Sequence, residues 1–297
     1  MSDSGVADIA ATPEVEDEGR RSARPFIKWA GGKAQLLDQL QKRLPGTFKR
    51  YWEPFLGGGA FFFSLAPNSA VLSDINEELV LTYIAVRDNV EELISELRQH
   101  RYEEQYFYSV RDWDKRPDFK DMSAVERAGR FIFLNKTGFN GLYRVNSKGQ
   151  FNVPFGRYSN PTIVDTDNLR RCSECLRNVD IRLSSYLAIE NEVQEGDLVY
   201  FDPPYVPLST TSSFTSYTKD GFGFDDQIAL RDLIQRLANK GAFILLSNSA
   251  SPFVEALYEG FTIERVSATR AINSKAERRG AVDELIISSK YKKRSFA

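Results

Sequence analysis

Short apolar runs alternate with helix-like stretches along most of this chain. Arg50 to Pro54 is a β-like run that ends in a glycine loop, Gly57-Gly58-Gly59, and a helix-like apolar stretch follows from Ala60 to Leu65. Ala70 to Ser73 predicts a second buried strand, Asn76 to Val86 a helix, and residues 90–113 polar helical structure. Ser123-Ala124-Val125-Glu126 has the capping-box spacing, in which the serine and the glutamate cover each other's free N–H groups, so a helix opens there and runs to about Asn135. Residues 137–160 change character: they are rich in Gly, Asn, Phe and Tyr, and Ser147-Lys148-Gly149 reads as a hairpin tip. Alternation resumes after residue 165, with strands at Val179–Leu183, Leu198–Phe201, Phe243–Leu246, Phe261–Val266 and Leu285–Ser288. Asp225 to Ala238 carries Ala229, Leu230, Leu233, Ile234 and Leu237 at helical spacing, closed by Lys240-Gly241. The pattern predicts an α/β sheet covered by helices on both faces. Residues 25–80 and 165–297 are expected to build it, and 81–164 to form a separate inserted lobe.

Composition narrows the class. The chain has 297 residues, 42% hydrophobic and 27% charged, which is ordinary for a globular protein with one large domain or two modest ones. No apolar run approaches the ~18 residues of a membrane helix, and the N-terminus lacks the basic-then-apolar pattern of a secretory signal. Two cysteines cannot make a disulfide scaffold, so a cytoplasmic location is expected. The formal charge of −2 at first argues against a nucleic-acid partner, but it is an average over unlike parts. Residues 1–19 hold six carboxylates and no Lys or Arg, so 1–24 is expected to be a disordered acidic tail. Without those six, 39 basic residues face 35 acidic ones, a balance of +4. From Arg127 to Val164 there is no acid at all, while Arg127, Arg130, Lys136, Arg144, Lys148 and Arg157 all lie there. A second basic cluster comprises Arg270, Lys275, Arg278 and Arg279. An acid-free stretch of that length points to an anionic partner.

Two constellations carry chemistry. Glu53-Pro54-Phe55-Leu56-Gly57-Gly58-Gly59 joins a strand to a helix, and Asp74 ends the next strand. Glycines there let a ligand approach the backbone, and an acid at that position can take the two hydroxyls of a ribose. The loop is neither a full G-x-G-x-x-G nor a P-loop, which argues against a dinucleotide or ATP. The other constellation is Asp202-Pro203-Pro204-Tyr205, after the apolar run Leu198–Phe201. A carboxylate, a carbonyl with no N–H beside it and an aromatic face suit a planar amino group on a ring. Phe26-Ile27-Lys28-Trp29-Ala30-Gly31-Gly32-Lys33, taken alone, is an N-terminal strand and turn. His100, the only histidine, is expected at the surface, and Cys172 and Cys175 form one C-x-x-C without a partner pair, so no metal is expected.

Together these pieces, with Leu72–Asn76, Asn135–Arg144, Phe151–Tyr158, Val206–Ser209 and Val282–Leu285, resemble the Dam-type DNA adenine-N6 methyltransferases, of the D12 class with the α motif order. The resemblance covers about Phe26 to Tyr291, with the motifs in family order. It implies a Rossmann-like methyltransferase sheet with an inserted helical and β-hairpin recognition lobe, S-adenosylmethionine as cofactor, and double-stranded DNA as partner. By the same resemblance Trp29, Lys33, Phe55, Gly57, Gly59, Asp74, Ile75 and Asp202 would line the cofactor site, and Asp202, Pro203, Pro204 and Tyr205 would hold the target adenine. Lys28, Phe139, Asn140, Leu142, Arg144, Pro154, Arg157 and Tyr158 would contact DNA, with GATC as the site. Phe139 stands where relatives often carry Tyr. The implied setting is the nucleoid, with the protein acting as a monomer. An N6-type methyltransferase of RNA or of a protein glutamine is the alternative within enzymes, and the insertion from 81 to 164 argues for duplex DNA. A DNA-binding protein that has lost catalysis is the other alternative, and the intact Asp202–Tyr205 motif argues against it.

Overall fold

A computed structural model of the chain describes residues 23–31, 33, 35–205, 222–269 and 281–291. The elements follow in the order α1 (Leu37–Gln41), β1 (Tyr51–Glu53), α2 (Ala60–Leu65), β2 (Ala70–Asp74), α3 (Glu77–Asp88), α4 (Val90–Leu97), α5 (Glu104–Arg111), α6 (Ala124–Thr137) and α7 (Thr166–Leu176). Then come β3 (Val179–Leu183), β4 (Leu198–Phe201), α8 (Phe224–Asn239), β5 (Phe243–Ser249), α9 (Pro252–Leu257), β6 (Thr262–Thr269) and β7 (Ala281–Ser288). The seven strands form one sheet in the order β3-β2-β1-β4-β5-β7-β6. Strands β1 to β5 run parallel, and β7 lies antiparallel between β5 and β6.

Every residue of β1, β2 and β4 is buried, because helices cover both faces of these parallel strands. That double burial is why they read as unbroken apolar runs. Alternate residues feed two cores. Tyr51, Leu72, Tyr200 and Ile286 pack with α3, α4 and α7 on one face. Trp52, Val71, Val199, Phe201 and Ile287 pack against Leu230, Leu233, Ile234 and Leu237 of α8 on the other. Strand order reverses between β1 and β4: the chain moves outward through β2 and β3 on one side, and through β5 on the other. Such a switch point leaves a crevice at the carboxyl ends of the two central strands. The glycine loop follows β1 and Asp202 follows β4, so the topology brings together motifs far apart in sequence.

Three expectations change. The interruption at residue 81 is not a break in packing: it falls inside α3, whose Leu79, Val80, Tyr83 and Val86 belong to the sheet's own core, as do Ala128, Phe131 and Ile132 of α6. A distinct small core begins later, with Phe107, Val110, Phe133, Leu134, Phe151 and Val153. The packed chain also starts before residue 25. Ala23 is buried, and Arg24 exchanges two hydrogen bonds with Asn168, N to Oδ1 at 3.0 Å and Nδ2 to the Arg24 carbonyl at 2.9 Å. Finally, His100 is an interior residue. The helix expected over 90–113 breaks after Leu97, which turns the imidazole inward against Phe133, with ring centroids 4.5 Å apart, and within 2.9 Å of the Tyr106 hydroxyl. Burial lowers its pKa to about 4.

The predicted capping box is present: Ser123 Oγ accepts from Glu126 N at 3.2 Å and Glu126 Oε2 from Ser123 N at 3.0 Å. The hairpin of residues 145–151 is held by the Val145–Phe151 bridge and by Asn146 N donating to the Gln150 carbonyl at 2.8 Å.

Candidate active site

The N-terminal motif reaches the crevice as a strap tied by one amide. Asn135, in the last turn of α6, accepts from Lys28 N at 2.8 Å and donates Nδ2 to the carbonyls of Lys28 at 2.7 Å and Gly141 at 2.9 Å. That places Trp29 over the glycine loop, its ring stacked on Tyr143 at 5.7 Å and on Phe131 at 6.2 Å. Gly57 has φ +47°, and a Cβ there would come within 2.6 Å of the Trp29 ring, so the position tolerates only glycine.

Asp74 closes the other side. Its Oδ2 accepts from Gly57 N at 3.2 Å and its Oδ1 from Asn76 N at 2.9 Å. Burial outweighs these bonds and raises its pKa to about 6. Beside it Ile75 is large, apolar and 54% exposed, at the mouth of the crevice. Phe55 stacks on Tyr186 at 5.2 Å. Glu53, just before the loop, is fully buried, and burial lifts its pKa to about 8 although the Tyr51 hydroxyl donates to it at 2.7 Å.

Asp202 lies immediately past β4. Lys33, only 5% exposed, places Nζ 2.8 Å from Asp202 Oδ1 and donates to the Tyr205 hydroxyl and the Gly31 carbonyl, each at 2.8 Å. The same nitrogen is 4.0 Å from Glu284 Oε2 and 4.8 Å above the centre of the Tyr205 ring. Burial alone would lower the Lys33 pKa, but Asp202, Tyr205 and Glu284 around it raise it above the usual lysine value, so it stays cationic. Ser247 Oγ, supported at 3.0 Å by the Tyr200 hydroxyl, donates to the same Asp202 Oδ1 at 2.9 Å. Among the described residues both donors converge on one oxygen of the carboxylate. This is the geometry of a fixed acceptor, not of a free base. Ser247 and Glu284 come from β5 and β7; no local pattern marks Ser247, and Glu284 shows only as part of the Val282–Leu285 motif.

Away from the crevice the structure splits the acid-free segment in two. Arg127 Nη2 binds Glu77 at 2.9 Å and Glu78 at 2.5 Å. Arg130 Nη2 binds Asp114 at 2.7 Å and its Nε the Val110 carbonyl at 3.0 Å. Both arginines are buried and paired with carboxylates from elsewhere in the chain, so they drop out of the basic stretch that pointed to an anionic partner. Arg144, Lys148 and Arg157 are exposed. Arg144 Nε donates to Asn152 Oδ1 at 2.7 Å, which stiffens its arm across the hairpin. Phe139 is 46% exposed, and Asn140 beside it has φ +56°. Pro154 is exposed, whereas Leu142 is half-buried against the small core. Lys28 Nζ lies 4.5 Å over the Tyr158 ring, whose hydroxyl donates to the Gly138 carbonyl at 2.9 Å. Lys28 and Tyr158 are thus brought together, with the tyrosine hydroxyl already used to hold the loop.

Among the described residues no group of three or more His, Cys, Asp or Glu could hold a metal ion, and no helix is long and apolar enough to cross a membrane. The tail up to residue 22, Gly32, the segment Val206–Ser209 and the cluster of Arg270, Lys275, Arg278 and Arg279 lie outside the described residues.

Comparisons with known proteins point to one family. The family model described as D12 class N6 adenine-specific DNA methyltransferase matches residues 29–272. The chain is 48% identical over 270 residues to the type II methyltransferase M1.LlaDCHI of Lactococcus lactis subsp. cremoris, covering 90% of this chain and 95% of that one. It is 46% identical over 284 residues to the type II methyltransferase M.MjaIII of Methanocaldococcus jannaschii, covering 89% and 98%. The DNA adenine methylase of Escherichia coli K12 is 33% identical over 268 residues, covering 89% and 94%. A Rossmann-like seven-stranded sheet, the glycine loop and the Asp202–Tyr205 turn at its switch point, and a match across most of the chain lead to one conclusion: this chain belongs to the D12 class of N6 adenine-specific DNA methyltransferases.

Proposed function

We propose that the protein transfers a methyl group from S-adenosylmethionine to N6 of adenine within GATC in duplex DNA. The observation that carries this reading is the tie that Lys33 makes from the N-terminal strap to the Asp202–Tyr205 turn, its ammonium binding both the Asp202 carboxylate and the Tyr205 hydroxyl at 2.8 Å. The crevice suits the cofactor. Gly57 leaves no side chain where Trp29 and the loop close together, Asp74 is a carboxylate aimed by two backbone N–H groups, and exposed Ile75 offers an apolar face to a purine. Trp29, Lys33, Phe55, Gly57, Gly59, Asp74, Ile75 and Asp202 would hold it. When bound, the sulfonium supplies an electrophilic methyl group.

The remaining work falls to this chain's residues. Adenine N6 has its lone pair spread into the ring and is a poor nucleophile. Asp202 and the Pro203 carbonyl accept its two N–H bonds, which raises its electron density and draws it toward tetrahedral geometry. Positive charge growing on N6 as the carbon–sulfur bond gives way is stabilised by the same acceptors, and the methylated amino group then releases one proton to water. Lys33 and Ser247 keep the carboxylate from rotating, and Tyr205 stacks on the ring. The base must first leave the duplex, at a cost of a few kcal/mol. Phe139 fills the gap it leaves, a role its exposure supports better than a place in the hairpin core. Arg144 reads a guanine edge, Leu142 and Pro154 touch a thymine methyl, and Lys28, held over Tyr158, reaches in beside the glycine loop. Asn140 and Arg157 complete the contact surface. The protein acts as a monomer on nucleoid DNA in the cytoplasm.

The test is resistance of DNA to an endonuclease that cuts only unmethylated GATC, after incubation with the protein and S-adenosylmethionine. Resistance is expected; radioactive methyl entering other sequences while GATC stays cleavable would refute the specificity.

A further inference from the structure

Gln227 lies in the first turns of α8 and is fully buried, as is Asn248 on β5. Two buried amides side by side demand an account of their hydrogen bonds. Gln227 Nε2 donates to the Pro204 carbonyl at 3.2 Å, and Gln227 Oε1 accepts from Asn248 Nδ2 at 3.2 Å. Asn248 Oδ1 accepts from the backbone N–H of Ser249 at 2.8 Å. The sense of the line is set at its backbone end. A backbone N–H can only donate, so Asn248 must turn Oδ1 toward it and Nδ2 toward Gln227. Gln227 must then turn Nε2 toward Pro204. The rigid centre of the sheet therefore dictates where a donor points at the second proline of the Asp202–Tyr205 turn.

That donor controls more than the bond it makes. The carbonyls of Pro203 and Pro204 are related by the two backbone angles of Pro204. The proline ring fixes φ, so ψ alone remains. Holding the Pro204 carbonyl fixes ψ, and with it the direction of the Pro203 carbonyl one residue earlier. Lys33 and Ser247 restrain the Asp202 carboxylate from the other side. We propose that Gln227, backed by Asn248, is a positioning residue for methyl transfer, aiming the Pro203 carbonyl at the target amino group. The proposal rests on the reading that Asp202–Tyr205 holds the target adenine. Gln227 touches neither base nor cofactor, and acts only through the turn.

The experiment measures methyl transfer to a GATC duplex by the full-length protein, with kcat and KM for DNA separated and circular dichroism recorded on the same samples. Gln227→Met keeps the volume but lacks both polar atoms; kcat is expected to fall about tenfold, one lost hydrogen bond's worth of barrier, with KM for DNA unchanged. Gln227→Glu gives a signature that mere loss of packing would not. Its carboxyl, while protonated, donates O–H to the Pro204 carbonyl and accepts from Asn248 as glutamine does. Once ionised it has no proton to donate. Activity of this variant should therefore approach wild type in acid and fall as pH rises through the raised pKa of a buried carboxyl. Asp202, Tyr205 and Lys33 at the turn, Asp225 and Asp226 at the exposed start of α8, and Tyr186, bonded to the Asp226 carbonyl, face this region in wild type too. The new limb is therefore read as the difference between the two profiles. Wild-type kcat in Gln227→Met, a Gln227→Glu profile parallel to wild type, or activity lost only together with the dichroism signal would each overturn the proposal. Asp202→Ala run alongside separates the two ideas. Full activity there refutes the reading of the turn, whereas an inactive Asp202→Ala beside wild-type Gln227 variants refutes the relay alone.

Discussion

At the crevice the cation is interior and shared: Lys33 is 5% exposed and ringed by Asp202, Tyr205 and Glu284. On the hairpin, Arg144, Lys148 and Arg157 stand in solvent, while Arg127 and Arg130 of the same acid-free segment are buried with Glu77, Glu78 and Asp114. Interior cations here fix geometry, and their partners are set by the fold. On the proposed reading the exposed cations are left for DNA, Arg144 for a base edge and Lys148 for phosphates, and the phosphate contacts depend on salt. Net charge along a stretch of sequence does not tell the two kinds apart.

The sharpest way to break this contrast is at the crevice. Asp202→Ala should lower turnover about a thousandfold, the upper range for removing one aligned electrostatic group, with the dichroism spectrum unchanged. Turnover near wild type would remove the carboxylate from the chemistry. Next in size is Arg127→Ala. It should cost about 2–3 kcal/mol of stability in a denaturant melt, somewhat less than for a fully buried pair because Glu77 is half exposed. DNA affinity of the folded fraction should not change; a large affinity loss with normal stability would return Arg127 to the DNA-contacting set.

Arg144→Ala and Lys148→Ala test the exposed set against itself. Arg144→Ala should relax discrimination at one base pair by about 1–3 kcal/mol. Lys148→Ala should weaken all sequences alike and reduce the salt slope by about one. Identical profiles for the two variants would abolish the distinction between reading and anchoring.

The smallest effect concerns Asp74. Its pKa is raised by burial to about 6 in the free protein. As a carboxyl with a raised folded value, it contributes stability that is present in acid and lost as pH rises through about 6. A ligand whose hydroxyls donate to the carboxylate has the opposite demand. S-adenosylmethionine affinity, read by calorimetry, should be level above that pH and fall below it. Asp74→Asn should bind weakly at every pH, with that limb gone. An unchanged limb in the variant would assign it to another group.

Legibility followed distance along the chain. The strands were readable because parallel strands buried on both faces are continuous apolar runs, and the helix Asp225–Ala238 because its apolar stripe is regular. Helix α7 was passed over: Leu169, Cys172, Cys175 and Leu176 do share one face, but that stripe is narrow, half of it cysteine, and polar or charged residues fill the other positions. The glycine loop and Asp202–Tyr205 were readable because each is one contiguous turn. The supports of that turn were not. Ser247 and Gln227 carry no motif, and β5 and α8 bring them to it only once the sheet is ordered. His100 and the two buried arginines were misplaced for the same reason: each is explained by partners remote in sequence.

The central claim, that the crevice and the hairpin together modify adenine in GATC, is tested most directly by mapping N6-methyladenine at single-base resolution in DNA from cells expressing the protein. The predicted result is modification of the adenine in nearly every GATC and background elsewhere, abolished by Asp202→Ala. Modification concentrated at a different sequence, or GATC adenines left bare while the protein is expressed, would contradict it.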